Sequence, residues 1–325
     1  MSALEQAQQR MDAYTSNHLT KSLKSYDLKA IDLHEFIETD LPTRDPILSP
    51  WLLNQSLVMI HSWRGIGKTH VALGIAYAVA SGGSFLGWEV DEPKKVLLLD
   101  GEMPGAALQE RFGAIIASSE KEAAKGMLKI ATPDIQELCM PDLSTEDGQL
   151  AVDKYIEPDT SLIIVDNLSS LCRSGKENEA DSWSSIATWA LRQRASGRSV
   201  LFIHHSGKDL KQRGTSKRED ILDVVISLRR PADYSPTDGA CFEVHFEKAR
   251  HLYGEAMNPI EAKLTTDEIG LQSWLVRTVE DSTIDRVVAL AKEGLSQKEI
   301  ADELEVNKST VSRHFRKAKG QGLIG

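Results

Sequence analysis

Short apolar runs alternate with helical patterns between residues 56 and 205. Five of these runs read as buried strands, and they are SLVMIH, KVLLLD, MLKIAT, SLIIVD and SVLFIHH. One intervening segment, THVALGIAYAVASGG, is typical of an apolar helix that ends at the glycine pair 82–83. Apolar strands that alternate with helices predict a mostly parallel sheet with helices on both faces. The predicted fold class is therefore α/β.

The pattern changes twice after residue 220. LDVVISLRR, CFEVHFEKAR and IEAKLTTDE are strand-like and joined by short turns, which predicts a β-meander appended to the parallel core. After about residue 281 the pattern is helical throughout. Residues 1–40 are polar with little apolar periodicity. We therefore expect an N-terminal arm (1–40), a main domain (41–280) and a small all-α domain (281–325).

Composition narrows the class of protein. The 325 residues are 41% hydrophobic and 26% charged, which is ordinary for a globular protein. No apolar run approaches the roughly 20 residues that span a bilayer, and the polar N-terminus lacks a signal-peptide pattern, so we expect a cytoplasmic protein with no membrane partner. The net charge of −10 argues against a protein coated in nucleic acid but allows a local basic channel. The scattered cysteines Cys139, Cys172 and Cys241 have no metal-ligand spacing and are expected to be reduced thiols.

The stretch HSWRGIGKTH (61–70) has the pattern of a phosphate-binding loop between a strand and a helix. Gly65 and Gly67 would let backbone N–H groups converge on phosphate oxygens, and the helix N-terminus would add its positive dipole. Lys68 would reach the β- and γ-phosphates, and Thr69 would ligate Mg²⁺. Ser62 stands where the usual pattern has glycine. The residues expected to bind the nucleotide are Ser62, Arg64, Gly65, Ile66, Gly67, Lys68, Thr69 and His70.

Polar side chains follow three of the predicted strands. Glu102, just after KVLLLD, could polarise the water that attacks the γ-phosphate, with Asp100 as the competitor for that role. Asp166 ends SLIIVD and would hold Mg²⁺ through water, which makes Thr69 and Asp166 the expected metal residues. SVLFIHH ends in His204 and His205. Strand alternation lets only one of these face the nucleotide, and we favour His205 as the γ-phosphate sensor.

Together these elements resemble the RecA-like ATPases, whose mark is a glutamate on the strand after the phosphate-loop helix, GEMP here. More closely, the chain resembles the RepA-type plasmid hexameric replicative helicases of the AAA_25 group of phage and plasmid ATPases. The likeness covers about residues 40–265. It is carried by SWRGIGKT, GGSFLGW, VLLLDGEMP, LIIVDNLSSL, FIHHSGK and RGTS. It implies ATP and Mg²⁺ as cofactors and a homo-oligomer, most simply a hexamer, that acts on DNA.

The resemblance extends to DnaB-type helicases through RGTSKREDILDVVISLRR and FEKAR. It implies that Lys248 and Arg250 reach the γ-phosphate of a neighbouring subunit, since residues two apart on a strand share a face. With Glu102, Lys68 and His205 they complete the expected catalytic set. The alternative is a pair of solvated cations on an edge strand. The resemblance also implies DNA-binding loops after the Asp166 and His205 strands. The second loop is basic, and the residues expected to contact DNA there are Lys208, Lys211 and Arg213, the last also a second candidate for the trans-acting arginine.

The C-terminal pattern LSQKEIADELEVNKSTVSRH predicts a helix-turn-helix and is similar to winged-helix and LuxR-type DNA readers. Ser296 would cap the first helix, with Glu299 at the capping-box position. A turn at 305–307 would lead to a second helix at about 308–319. The residues expected to contact DNA from it are Ser309, Thr310, Arg313, Arg316 and Lys317. Such domains also mediate protein contacts.

These features favour a hexameric RecA-fold ATPase acting on DNA, a replicative helicase of a plasmid or phage-like mobile element. One alternative is a nucleotide-switched DNA-binding regulator or helicase loader, which the helix-turn-helix favours because a ring motor does not need one. A small-molecule kinase is the third reading, but the chain has no recognisable lid and FEKAR would then be unexplained.

Overall fold

The computed structural model describes residues 28–324 except 42, 174–179, 207–219, 233 and 305. The chain divides into two compact units, Met1–Thr43 and Arg44–Gly325. In the described part of the first unit, α1 (Leu33–Glu38) is capped by Asp32, whose carboxylate accepts a hydrogen bond from the His34 N–H at 2.9 Å. No residue of this helix is buried. Most of the predicted arm, residues 1–27, lies outside the described residues.

The second unit contains a nine-stranded sheet, two small hairpins and eight α-helices within its described residues. Its first half consists of β1 (Pro46–Leu48), β2 (Leu52–Leu53), β3 (Leu57–Ser62), α2 (Lys68–Ser81), β4 (Ser84–Phe85), β5 (Trp88–Glu89), β6 (Lys95–Asp100), α3 (Gly105–Ser118), β7 (Leu128–Ala131) and α4 (Glu146–Asp153). Its second half consists of β8 (Thr160–Asp166), α5 (Leu168–Leu171), α6 (Ala180–Ala195), β9 (Ser199–His205), β10 (Val224–Arg229), β11 (Cys241–Ala249), β12 (Ile260–Thr266), β13 (Gln272–Thr278), α7 (Val279–Lys292), α8 (Gln297–Glu303) and α9 (Lys308–Gly320).

The large sheet has the strand order β7-β6-β8-β9-β3-β10-β11-β12-β13. The first six strands are parallel, and β11, β12 and β13 continue the sheet as an antiparallel meander. The predicted parallel core with an appended meander is therefore confirmed. Because β9 lies between β3 and β8, the strands that end in Ser62 and Asp166 are not neighbours, which is the arrangement of RecA-like ATPases.

Two apolar layers form the core, one on each face of the sheet. Val58 and Ile60 of β3 point to the face covered by α2 and α3. Leu57 and Met59 point to the other face, which packs against α4, α5 and α6. All six residues of β3 are buried. Burial on both faces is the reason that the strand sequences are continuous apolar runs rather than alternating ones.

The C-terminal helices have an apolar core of their own, which includes Val287, Ile300, Leu304 and Val311. The predicted capping box is confirmed, because the Ser296 side chain and that of Glu299 each accept a backbone hydrogen bond from the other residue. The second helix of the motif, α9, agrees with the predicted range to within one residue.

No linker separates these helices from the sheet. Thr278 ends β13 and caps α7 directly. The buried carboxylate of Glu261 on β12 accepts hydrogen bonds from Arg277, from Ser282 Oγ at 2.8 Å and from Arg286. Burial opposes ionisation of Glu261, but the hydrogen bonds and the two guanidinium charges outweigh it, and its pKa is lowered. Across the part of the chain that the structure describes, no helix has the length and apolar character of a membrane span.

Candidate nucleotide-binding site

The loop between β3 and α2 depends on two glycines with positive φ. Gly65 has φ of +75° and Gly67 has φ of +130°. A Cβ at Gly67 would also lie 2.9 Å from the Phe242 ring. Both the positive φ and the nearby ring therefore disfavour any residue other than glycine at this position. Ser62 is not among the described non-glycine residues with positive φ. A serine can therefore occupy the first position of this loop without backbone strain.

Ser62 lies beneath the loop and holds Lys68. It is fully buried, and Lys68 Nζ donates to its carbonyl oxygen at 3.0 Å and to its hydroxyl at 3.1 Å. Lys68 also donates to the Trp63 carbonyl at 3.0 Å. Burial lowers the pKa of Lys68 to about 8, although Asp166 and Glu102 act in the opposite direction. An anion above the loop would favour the charged form of this lysine.

Asp166 supplies the metal side of the pocket. It ends β8 with 4% exposure, and burial followed by the neighbouring Asp100 carboxylate raises its pKa to about 7. The Thr69 side chain hydrogen-bonds to it, whereas its Oδ2 is buried without a hydrogen-bond partner. A buried carboxylate oxygen in need of a partner, next to a hydroxyl, suits Mg²⁺. No all-protein metal cage of His, Cys, Asp or Glu exists in the described ranges, as expected where phosphate and water complete the coordination.

Asp100 closes the turn that carries Glu102. It is buried, and its Oδ1 accepts hydrogen bonds from the N–H groups of Glu102 at 3.0 Å and Met103 at 2.7 Å. Burial raises its pKa against the effect of these two bonds. Asp100 therefore holds the shape of the turn through Oδ1, and both Asp100 and Glu102 line the pocket.

Glu102, His205 and Asn167 form a cluster at the carboxyl ends of β6, β8 and β9. Glu102 Oε2 accepts a hydrogen bond from Asn167 Nδ2 and lies 3.3 Å from His205 Nε2. The Asn167 Nδ2 and His205 Nε2 atoms are 3.2 Å apart. Burial and the nearby Lys68 charge lower the pKa of His205, partly offset by Glu102. His204 is buried and does not line the pocket.

These groups surround a pocket of about 550 Å³, which is a usual size for a small-molecule site. The lining residues are Arg64, Gly65, Ile66, Gly67, Lys68, Thr69, His70, Asp100, Glu102, Met103, Pro104, Arg111, Asp166, His205, Gly239 and Ala240. Sequence reasoning missed Asn167, Arg111 and the 239–240 wall. Asn167 stood within the motif LIIVDNLSSL and could have been found as the polar residue after Asp166. The wall had no signal, since it comes from a turn far along the chain.

A buried histidine links the phosphate-loop strand to two other elements. His61 Nδ1 lies 2.7 Å from Ser206 Oγ, just after β9, and His61 Nε2 lies 2.9 Å from Glu247 Oε2 on β11. The Ser206 N–H donates to the Ser62 carbonyl oxygen at 2.9 Å, the oxygen that Lys68 also contacts. The hydrogen bond from His61 lowers the pKa of Glu247 to about 2.

Lys248 and Arg250 lie away from the pocket of their own chain. Lys248 pairs with Val225, which pairs with Met59, three residues before Ser62 on β3. At about 3.3 Å per residue, this register places Lys248 roughly 10 Å back along the strands from the loop. Lys248 lies on β11, and Arg250 directly follows the last residue of this strand, Ala249. Arg250 Nη2 donates to the Asp220 carbonyl at 2.8 Å.

The predicted DNA contacts fall into two groups. Lys208, Lys211 and Arg213 lie outside the described residues. On α9, Ser309, Arg313, Arg316 and Lys317 are exposed and Thr310 is half-buried. Lys317 Nζ is 3.2 Å from a carboxylate oxygen of Glu280 on α7, so an ion pair joins the last turn of α9 to the first helix of this group.

The strand order, the phosphate loop and the converging carboxylates define a RecA-like ATPase. The AAA domain family called AAA_25 matches residues 24–211, more than half of the chain, and the protein belongs to this family. Residues 287–325 match the arsR family of bacterial regulatory proteins. A search of curated proteins gave no match.

Solved structures show distant likenesses. The KaiC-like protein PH0186 from the hyperthermophilic archaeon Pyrococcus horikoshii OT3 is 13% identical with a TM-score of 0.49, over 71% of this chain and 93% of that one. The RadB recombinase is 14% identical with a TM-score of 0.43, over 65% of this chain and 88% of that one. Likenesses of this size say nothing about substrate.

Proposed function

We propose that this protein is a ring-forming, ATP-hydrolysing motor that acts on DNA, a replicative helicase of a plasmid or phage-like mobile element. In this proposal residues 41–280 are the ATPase domain and residues 281–325 bind DNA. The observation that supports this proposal is that two sets of charged side chains lie in different places. Lys68, Asp166 and Glu102 converge on one pocket, while Lys248 on β11 and Arg250 directly after it do not line that pocket.

Within the pocket each side chain has a role that follows from its place. The loop N–H groups and Lys68 would hold the phosphates, and Thr69 with Asp166 would hold Mg²⁺, which supplies charge neutralisation when bound. Glu102 would accept the proton of the attacking water. His205, which lies beside Glu102 and lines the same pocket as Lys68, would contact the γ-phosphate. Arg64, Ile66 and His70 line the same cavity and would shape it around the nucleotide.

The position of Lys248 and Arg250 supports an action in trans. Neither lines the pocket of its own chain. A cation that serves the γ-phosphate from this position must therefore serve a pocket in another copy, and a closed set of such head-to-tail contacts makes a ring. A hexamer is the size that the family resemblance implies. Single-stranded DNA would pass through the channel along the segment with Lys208, Lys211 and Arg213.

A second candidate function is a nucleotide-switched DNA-binding regulator or loader. A specific chain of contacts favours it. Gly239 lines the pocket, its neighbour Asp238 forms a 2.7 Å ion pair with Lys263 on β12, and Glu261 on the same strand anchors the C-terminal helices. Through these contacts, nucleotide binding at the 239–240 wall would affect the helix-turn-helix without any separation of DNA strands.

The deciding experiment is the ATP hydrolysis rate with and without single-stranded DNA at low salt, where phosphate contacts are strongest. We expect a several-fold stimulation, and we expect Glu102→Gln to bind ATP but to lose turnover under both conditions. Retained turnover in Glu102→Gln would move the base role elsewhere. No stimulation, with duplex binding intact, would favour the regulator over the motor.

A further inference from the structure

The polar groups of the Asn167 side chain have hydrogen-bond partners, and these partners fix the orientation of its amide. The residue is 2% exposed and caps α5. Its Oδ1 accepts a hydrogen bond from the Ser170 N–H at 3.2 Å, and the Ser170 hydroxyl lies 3.4 Å from the Asn167 N–H in return. Because the oxygen is held by the cap, the Nδ2 group must point to the opposite side.

On that side Nδ2 meets two polar atoms. An amide nitrogen carries two hydrogens and no free lone pair, so it can only donate. It donates to Glu102 Oε2 and lies 3.2 Å from His205 Nε2, and these two atoms are themselves 3.3 Å apart. The amide therefore contacts both the carboxylate and the ring and restricts the orientation of both.

Glu102 needs such a restraint. Its side chain is 62% exposed and follows a turn rather than lying within a strand. A general base acts only when it lies within hydrogen-bond reach of the proton that it takes. A long, exposed carboxylate without a fixed partner would spend much of its time in other rotamers.

We propose that Asn167 is a positioning residue, which holds the Glu102 carboxylate and the His205 ring in place for ATP hydrolysis. This inference rests on the proposed function. It deepens that function, because it adds to the reaction a residue that need touch neither the nucleotide nor the metal ion. The competing explanation is that Asn167 serves only as the cap of α5.

Two variants separate these explanations, because Asp and Ser cap helices about as well as Asn. Asn167→Asp and Asn167→Ser both keep the cap and both remove the amide donor. We expect kcat for ATP to fall about tenfold or more in each, while KM stays within about threefold. Thermal melting of Asn167→Ser should stay within a few degrees of the parent, about the effect of a 1 kcal/mol change. Asn167→Asp adds a buried negative charge beside Glu102 and Asp166 and should melt lower, so Asn167→Ser is the deciding variant.

Ser170→Ala is the matched control. It removes the two hydrogen bonds of the Ser170 hydroxyl, from the Asn167 N–H and to the Asn167 carbonyl oxygen, but leaves the Asn167 amide held by the Ser170 N–H. We expect lower thermal stability with unchanged kcat. A positioning role for Asn167 thus predicts a lower kcat with near-parent stability in Asn167→Ser, and an unchanged kcat with lower stability in Ser170→Ala.

Parent-like kcat in both Asn167 variants, with Glu102→Gln inactive, would overturn this inference and leave the proposed function standing. So would unfolding of both variants, because it would show that the residue acts through the fold. Parent-like turnover in Glu102→Gln, or no ATP hydrolysis by the parent protein, would overturn the proposed catalytic role of Glu102 and this inference with it.

Discussion

The nucleotide pocket and the C-terminal helical bundle are built in opposite ways. The pocket collects side chains from 64 to 240 along the chain, and it contains the buried charges of Lys68, Asp100 and Asp166. The bundle takes its core from residues 284–324 alone, and this core is apolar. Buried charges cost free energy unless they are paired. The pocket is therefore arranged for a ligand, whereas the bundle is stabilised by its own packing.

The largest effect that tests this contrast is expected from Lys68→Ala. The change removes charge-assisted hydrogen bonds to phosphate, each worth about 1.5–3 kcal/mol, so the removal of two such bonds would leave no measurable ATP binding. A fluorescent ATP analogue measures this directly. Duplex DNA binding by the bundle should be unchanged. Parent-like ATP affinity in the variant would show that the pocket is not the nucleotide site.

Arg250→Ala should have the next largest effect, on turnover rather than on binding. An arginine that stabilises the transition state from a neighbouring subunit can contribute roughly 1,000-fold or more. With Lys248 still present we expect kcat to fall about 100-fold. The measurement is steady-state ATPase activity of each variant and of mixtures.

Mixing supplies the control for this prediction. Arg250→Ala is expected to be weakly active alone and Lys68→Ala inactive, but a mixed ring can pair an intact pocket with an intact Arg250 from its neighbour. Partial recovery of activity is expected at intermediate ratios. Absence of recovery at every ratio would remove the argument for action in trans.

The sequence was a better guide to the bundle than to the pocket. The Ser296–Glu299 capping box and the bounds of α9 follow from local patterns, since all the contacts involved are close in sequence. The strands of the parallel core were also predictable, because burial on both faces makes them continuous apolar runs. The strand β13 was missed because it is only half-buried and shows no such run.

In the pocket, only the residues that belong to a recognisable sequence motif could be predicted. Lys68 was found from the phosphate-loop pattern, Asp166 and Glu102 were found from strand ends, and the structure brings all three together. Asn167 was not singled out, because an asparagine after a strand is usually a helix cap, and here it is one as well. The 239–240 wall lies in the turn between β10 and β11, and its place beside the phosphate loop depends on the parallel pairing of β10 with β3, which no local pattern reveals.

A smaller effect is expected on the free energy of unfolding, which should depend on pH through a residue of the pocket. Burial, and then the Arg111 charge, lower the pKa of His70 from 6.5 to about 4. The unfolded chain therefore takes up a proton below pH 6.5 that the folded chain refuses until about pH 4. The full shift corresponds to at most about 3 kcal/mol, and because His70 is only partly buried we expect a loss of stability of about 2 kcal/mol across this window. Urea unfolding at several pH values measures it, and His70→Gln should flatten the dependence. An unchanged slope would assign the effect to other groups.

The smallest effect is expected in the bundle, from Arg313→Ala on α9. This side chain is exposed, so its removal should not disturb the apolar core. A variant without this cation should bind duplex DNA more weakly by about 1–2 kcal/mol and, if the arginine meets a phosphate, show a salt dependence smaller by about one unit of slope. Lys154→Ala, an exposed cation just after α4, is the control of equal charge. Equal weakening in both variants would mean that binding of duplex DNA depends on overall charge rather than on α9. Weakening confined to Arg313→Ala, with ATP hydrolysis unchanged in the absence of DNA, would show that the bundle reads duplex DNA as an independent part while the pocket retains its chemistry.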